Sequence, residues 1–405
     1  MSLGLYISVP FCRTKCSYCN FTSDVFSRAV FERYVERVAF DIDHASKTAE
    51  QMGGVFESSV DSVFLGGGTP TILDITQLER LFVTISQKFL VRPDAEITVE
   101  CAPGTLSPAM IGALQRCGVN RVSLGVQSFV DAEAASVGRL HNRRTVIDDM
   151  ARLRAAEIED INVDLIAGLP HQTAESWEHS LAEAIASGVP HVSVYMLEVD
   201  DDSRLGRELM AGGTRYHAHF VPDEDLTAEM YEMACERLNA VGVGQYEISN
   251  FARTGHESRH NLKYWTRQPY FGFGVDAHSM LNCSARTNEA VRFSSPASLE
   301  EYITGAPLTK MPVSRQAALE EMFFLGLRLT NGVDLKGVAV QFGEVVVQTF
   351  SDTILECAEL GLLERGGDVI RLTPRGRLLS NEVFERFILS PTHNSGGADT
   401  PVRRL

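Results

Sequence analysis

Three of the eight cysteines fall within eight residues, in the run Tyr6-Ile7-Ser8-Val9-Pro10-Phe11-Cys12-Arg13-Thr14-Lys15-Cys16-Ser17-Tyr18-Cys19. Eight cysteines in 405 residues are too sparse for a disulfide framework, and clustered thiols in a reducing compartment ligate metal or carry redox chemistry. The spacing C-x3-C-x2-C sits in a loop directly after an apolar run. A [4Fe-4S] cube ordinarily takes four thiolates, so three leave one iron without a protein ligand. The amino and carboxylate groups of S-adenosylmethionine (SAM) can fill such a position, and one-electron reduction of the sulfonium then makes a carbon radical that the cofactor itself supplies. The alternative is a Cys3His zinc site completed by a remote residue such as His44. Zinc sites usually pair their ligands in two close-set doublets, and no second doublet follows here. Cys101, Cys117, Cys235, Cys283 and Cys357 are scattered through apolar contexts and read as buried thiols.

A second candidate is Val63-Phe64-Leu65-Gly66-Gly67-Gly68-Thr69-Pro70. Three glycines after a strand let the backbone approach a ligand and offer its amides. A tight strand-to-helix turn reads the same way, and a Walker phosphate loop is excluded because no Gly-Lys-Ser/Thr follows.

Short β-branched runs must position these residues: Leu5 to Val9, Val60 to Leu65, Ile97 to Glu100, Val122 to Val126, Ile161 to Ile166 and Val192 to Leu197. Between them lie amphipathic stretches, Phe31 to Ala45, Ile75 to Phe89, Ala132 to Ala156 and Ala174 to Ala186. The alternation indicates right-handed βαβ units on a parallel sheet. The fold class is therefore α/β, an incomplete TIM-like (β/α)6 barrel, with an open doubly wound sheet as the alternative. Either fold gathers chemistry at the carboxyl ends of its strands, and Cys12, Gly66, Glu100 and Gln127 lie where the first four runs stop.

The sequence divides into 1–225 as the barrel, 226–312 as a loop-rich extension, 313–388 as a winged-helix-like domain and 389–405 as a disordered tail. Hydrophobic residues make up 44% and charged residues 22%, a balance that supplies an adequate core. The formal charge of -16 repels polyanions, and residues 314 to 386 hold 8 basic against 11 acidic side chains, so nucleic acid is not expected as a partner. No run of ~18 apolar residues appears and Met1 to Pro10 lacks a secretory pattern, which leads to an expectation of cytoplasmic location without an integral membrane segment.

The triplet, the G-G-G-T-P and the later H-N-L-K-Y-W together resemble the oxygen-independent coproporphyrinogen III oxidase group of radical SAM proteins. The resemblance runs to about Phe387, and implies a radical SAM barrel with the winged-helix-like domain found at the carboxyl terminus of that group. It implies Cys12, Cys16 and Cys19 as cluster ligands, Tyr6 against SAM, and Gly67, Gly68 and Thr69 on its amino group and carboxylate, with Tyr18 bordering the pocket. It also makes Glu100, Gln127, Arg139 and Asp164 SAM contacts. Such roles suit a zwitterionic cation with ribose hydroxyls, although polar groups at strand ends are also commonly bonded for stability alone.

Two branches of that group differ in residues visible here. The oxidase branch, which decarboxylates coproporphyrinogen III, continues as C-x3-C-x2-C-x-C and carries a longer amino-terminal segment. In this chain Asn20 and Phe21 follow Cys19, and eleven residues precede Cys12. Tyr246 to Arg253 and Arg259 to Trp265 resemble instead the heme-chaperone branch, whose H-N-x-x-Y-W motif is associated with heme. That resemblance implies heme or porphyrin as cargo, with His260 as a heme contact, and acceptor hemoproteins as partners; it leaves a homodimer, and SAM cleavage in turnover, open. The alternative for His260 and Trp265 is that they anchor a loop on the barrel.

Anaerobic reconstitution should load about four irons and four sulfides per chain and turn the protein brown. Cys16→Ala should abolish both. Stoichiometric zinc with no broad visible absorption would exclude the cluster.

Overall fold

The computed structural model describes residues 2–284 and 288–389. Of the expected disordered tail, 389–405, all but residue 389 lies outside them. Six apolar runs become parallel strands: β1 (Leu3–Val9), β2 (Ser59–Gly67), β3 (Leu90–Cys101), β4 (Arg121–Gln127), β5 (Asp160–Ala167) and β6 (His191–Met196), hydrogen-bonded in that order. Leu3, Leu5, Ile7 and Val9 of β1 are fully buried beneath the outer helices. Gly4, Tyr6 and Ser8 alternate with them and face the other way, as the period of two requires.

Helix boundaries differ from the sequence reading where caps intervene. The stretch Ala132 to Ala156 splits into Asp131–Ser136 and Arg143–Ala155. Gly138 takes a left-handed backbone (φ 85°) and the Asn142 side chain accepts from Thr145 N, starting a new helix. In the same way the stretch Phe31 to Ala45 resolves into Arg28–Asp43 and Ala45–Met52.

The segment 226–312, expected as loop-rich, carries six strands of the same sheet after the helix Glu224–Ala240. These are β7 (Gly244–Gln245), β8 (Asn250–Ala252), β9 (Tyr270–Gly274), β10 (His278–Asn282), β11 (Ala290–Ser294) and β12 (Thr309–Val313). β8 pairs antiparallel with β6 at one edge, and β9 pairs parallel with β1 at the other, giving the order β12-β11-β10-β9-β1-β2-β3-β4-β5-β6-β8-β7. The mixture of glycine and aromatics in Tyr270-Phe271-Gly272-Phe273-Gly274 hides a strand. Phe271 and Phe273 are buried, while a Cβ on Gly272 would lie 2.2 Å from the His278 carbonyl oxygen. One continuous core runs from Leu3 to Tyr302, so this segment shares the barrel's interior.

A second core, drawn mainly from residues beyond Arg315 but including Ile248, Met280, Ala290 and Val313, forms around Phe323, Phe350 and Phe387, with ring centroids 4.5 Å and 5.0 Å from Phe323. Helices Arg315–Phe324, Leu335–Phe342, Glu344–Gln348 and Ser351–Glu359 precede the hairpin β14 (Leu363–Gly366) and β15 (Val369–Leu372), with β13 (Val333–Asp334) on its flank. This is the winged-helix pattern. The unit grips both edges of the sheet. Glu321 pairs with Arg267 and Arg292, each at 2.6 Å, beside β9 to β11. At the other edge Thr330 N donates to Tyr246 O at 3.0 Å and Leu329 bridges Glu247.

Glu321 is 4% exposed, and removing the shared partner of two largely buried guanidiniums costs about 3–5 kcal/mol. Glu321→Ala should therefore lower the apparent melting temperature and speed proteolysis between the barrel and residue 313, with Glu321→Gln intermediate. An unchanged melting profile and cleavage rate would remove the clasp from the account of stability.

Candidate cluster and cofactor site

The cysteine loop leaves the carboxyl end of β1 and closes on itself. Cys12 N donates to Asp24 O and Asp24 N to Pro10 O, both at 3.0 Å. It is then tied to two other βα connections: Ser17 N donates to Val137 O (3.1 Å), the Thr14 hydroxyl to Gly138 O (3.0 Å), and Leu205 N to Ser17 O (2.8 Å). Cys16 is buried, and Cys12 and Cys19 are half-buried. Among the described residues no three donors converge on a point that could hold a single metal ion. His44, the remote zinc ligand considered from sequence, instead stacks on Phe40 at 4.0 Å and bonds its carbonyl.

The glycine run lies against this loop. Gly68 N donates to Val9 O and Thr69 N to Phe11 O, both at 2.8 Å, and Gly67 N to Glu100 Oε2 at 3.2 Å. All three amides are therefore engaged, and the expectation that they are offered to a ligand is replaced by one in which they fasten β2 to the cysteine loop. A Cβ on Gly68 would lie 2.6 Å from Phe11 O and 2.8 Å from Val9 O, so the approach requires glycine.

Around them the structure brings together Tyr6, Tyr18, Glu100, Gln127, Arg139 and Asp164. Arg139 donates to Cys16 Sγ at 3.5 Å and to Gly125 O. Asp164 accepts from Ser123 Oγ (3.0 Å) and Asn162 Nδ2 (2.7 Å). Burial, then the charge of Asp164, push the Glu100 carboxyl up to about 8, against the opposing hydrogen bond from Gly67. Burial is also the first cause of the raised pKa of Asp164. A register shift between β4 and β5 falls at Gly125 to Gln127, and Gln127 has a left-handed backbone (φ 69°). The bulge re-aims its side chain. Its buried Oε1 has no partner among the described residues, an acceptor suited to a polar ligand.

His260 lies on the helix Arg259–Trp265, bonded to Ser62 of β2 and Glu96 of β3, and its ring stacks on Tyr6 at 6.3 Å. Its Nδ1 meets Ser62 Oγ at 3.0 Å and its Nε2 meets Tyr264 Oη at 2.8 Å, and the ring stacks on Phe64 at 5.3 Å. Burial, then Lys263, lower its pKa to about 3, so it is neutral. With 1% of its surface exposed and both nitrogens engaged, the imidazole in this arrangement fastens the helix to β2.

Sequence reasoning missed the group that holds this helix. Buried Glu96 accepts from Arg259 N (2.9 Å) and His260 N (3.0 Å), and Lys263 pairs with Asp61 at 2.7 Å. A carboxylate at a helix amino terminus is favourable. The available signal was Glu96 on the same face of its strand as Glu100, two periods of two away.

Comparison with known proteins adds the family. Residues 6–184 match the radical SAM superfamily and residues 313–379 the HemN C-terminal domain. The chain is 34% identical to the heme chaperone HemW of Bacillus subtilis over 391 residues, 95% of this chain and 98% of that protein. The chain belongs to the HemW family of radical SAM proteins. It is also 36% identical to HemW of Synechocystis over 82% of this chain and 79% of that protein. Coproporphyrinogen III oxidase (HemN) from Escherichia coli has the same fold, with a TM-score of 0.81 at 22% identity over 95% of this chain and 90% of that one. The family implies a [4Fe-4S] cluster and SAM, which suit the thiol loop and the unpartnered Gln127 acceptor beside it.

A carboxyl group held near 8 must release its proton to meet a sulfonium or ammonium group. Affinity for SAM, measured by anaerobic calorimetry, should rise up to about tenfold per pH unit below about 8 and level off above it. Glu100→Gln should flatten that dependence and weaken binding roughly tenfold to a hundredfold, the about 1.5–3 kcal/mol of a charged hydrogen bond. Affinity that falls as pH rises would place the cationic groups away from Glu100.

Proposed function

We propose that this protein is a heme chaperone that binds heme and delivers it to acceptor hemoproteins, on a radical SAM scaffold. The observation that carries the reading is the likeness to relatives named heme chaperone along 95% of the chain. Phe21 agrees with it: where the oxidase pattern has a further cysteine, this chain presents an aromatic ring, 65% exposed.

In this reading Cys12, Cys16 and Cys19 hold the cluster and leave one iron for SAM. When bound, the pair supplies one-electron reductive chemistry at the sulfonium. The protein's own residues bind and orient. Glu100 and Asp164 face the cationic groups, Gln127 offers an acceptor, and Arg139 stands beside the Cys16 sulfur. Tyr6 and Tyr18 wall the pocket, and Gly67, Gly68 and Thr69 keep the backbone close enough to form its side. Residues 1–225 with the strands of 226–312 form the barrel, and 313–388 the winged-helix-like unit that closes on it.

The oxidase reading rests on the fold shared with HemN at 22% identity, which speaks to architecture alone. No helix among the described residues is long and apolar enough to cross a membrane. Location in the cytoplasm and hand-over between soluble proteins remain part of the proposal.

Purified, reconstituted protein should bind heme about one to one and leave coproporphyrinogen III unchanged under reducing anaerobic conditions with SAM. Robust formation of protoporphyrinogen IX would replace the chaperone by the oxidase. No heme binding and no conversion would remove both.

A further inference from the structure

The segment after β6 carries groups that the cluster site does not use. The helix Arg204–Ala211 docks on the cysteine loop, where Arg204 donates to Lys15 O at 3.2 Å. The chain then returns through Gly212-Gly213, and buried Glu208 holds that return by accepting from Tyr216 N (2.8 Å) and Ala218 N (3.2 Å). Arg204, Arg207, Glu208, Gly212 and Tyr216 enclose an open cavity of about 440 Å³. It is wide, shallow and bordered by two guanidiniums, while its carboxylate is already occupied by backbone amides.

Next to it stands a histidine pair. His217 follows Tyr216, and its Nδ1 lies 3.2 Å from Nε2 of His171. The His171 ring stacks on Phe220 at 4.2 Å, and His171 N donates to Phe220 O at 2.9 Å. Both histidines have left-handed backbones, φ 62° at His217 and 69° at His171, a conformation costing about 1–3 kcal/mol in a non-glycine residue. Two such residues holding one ring against another indicate an imposed orientation.

Nε2 of His217 has no hydrogen-bond partner among the described residues, and it keeps its lone pair in the tautomer in which Nδ1 donates to His171. A metal-ligating histidine almost always donates its second ring N–H to an acceptor that fixes the ring and raises its basicity. A single protein nitrogen suffices for an iron already held by four porphyrin nitrogens. His260, by contrast, has neither nitrogen free.

We propose that this surface docks heme, with His217 Nε2 as the axial ligand and His171 as the residue that positions it. Arg204 and Arg207 receive the propionates, for which guanidinium is the matched partner, and Tyr216 and Phe220 cover the macrocycle's edge. The inference rests on the heme-chaperone reading and names its binding surface. Exposure is in keeping with transfer: a ligand held at the mouth by one dative bond can be passed on without opening the barrel.

The test is titration of full-length, cluster-reconstituted protein with hemin, followed by the Soret band and by ferric heme EPR, with iron–sulfur content as the check on folding. His217→Ala should shift both spectra and weaken binding more than about tenfold. His171→Phe, which keeps the ring against Phe220 but removes the acceptor, should weaken binding about tenfold with the ligand type preserved. Arg207→Gln should weaken hemin but not its dimethyl ester, which lacks propionate charge. Spectra that respond to His219→Ala or His260→Ala, and not to His217→Ala, would overturn the assignment while leaving the heme-chaperone reading intact. Failure of the unaltered protein to bind hemin would overturn both.

Discussion

The carboxyl end of the barrel depends on how closely β2 runs beside the exit of β1. Gly68 and Thr69 donate to carbonyls on either side of the bend at Pro10, and the backbones are so near that no Cβ fits at Gly68. That contact fixes where the chain turns into the cysteine loop. Everything downstream of it is placed relative to those two bonds: Cys12 one residue beyond, Glu100 on the neighbouring amide of Gly67, and Arg139 on Cys16 from the far side. The glycines are thus structural first, and their contribution to a ligand follows from the fit they enforce.

At the opposite end the barrel is closed by polar groups. Glu96 takes the first amides of the helix Arg259–Trp265, and His191 joins Asn162 at 2.6 Å to Tyr246 at 2.9 Å. Buried networks of this kind hold one arrangement firmly only when nearly every donor and acceptor is met. Several exceptions lie near the seam with the C-terminal unit. Glu247 Oε2, Asn250 Oδ1, Trp265 Nε1 and Arg328 Nε lack partners among the described residues, and the Arg328 guanidinium lies 4.3 Å over the Trp265 ring. The two ends therefore differ in kind, one built for close backbone approach and the other for polar closure.

The six barrel strands were legible because each is an apolar run buried on the helix side, and the cysteine spacing because covalent ligand sets survive as short local patterns. What escaped the sequence was non-local. β9 reads as loop because its glycines and aromatics are chosen by contact with β1 and β10, the first of them 266 residues away in register (Gly4 opposite Tyr270) and the second 10 (Met280 opposite Tyr270). The H-N-L-K-Y-W segment carries residue types suited to heme, yet Ser62, Glu96 and Phe64, none of them near in sequence, decide that its imidazole is sealed. Gln127 was legible as a position but not in its left-handed backbone, which a β4 to β5 register shift imposes. The twin histidines were passed over because neither His171 nor His217 means much until the fold sets their rings together.

The pairing of β1 with β9 has a temporal side. The first strand of the chain finds its second neighbour only at Tyr270 to Gly274, and the cysteine loop acquires its outer wall only with Leu205. Such distant pairings form late, because the intervening chain must be ordered first. During synthesis, when domains emerge amino end first, Cys12, Cys16 and Cys19 leave the ribosome long before the residues that enclose them. The thiols consequently spend an interval without the walls that Val137, Gly138 and Leu205 supply in the folded chain.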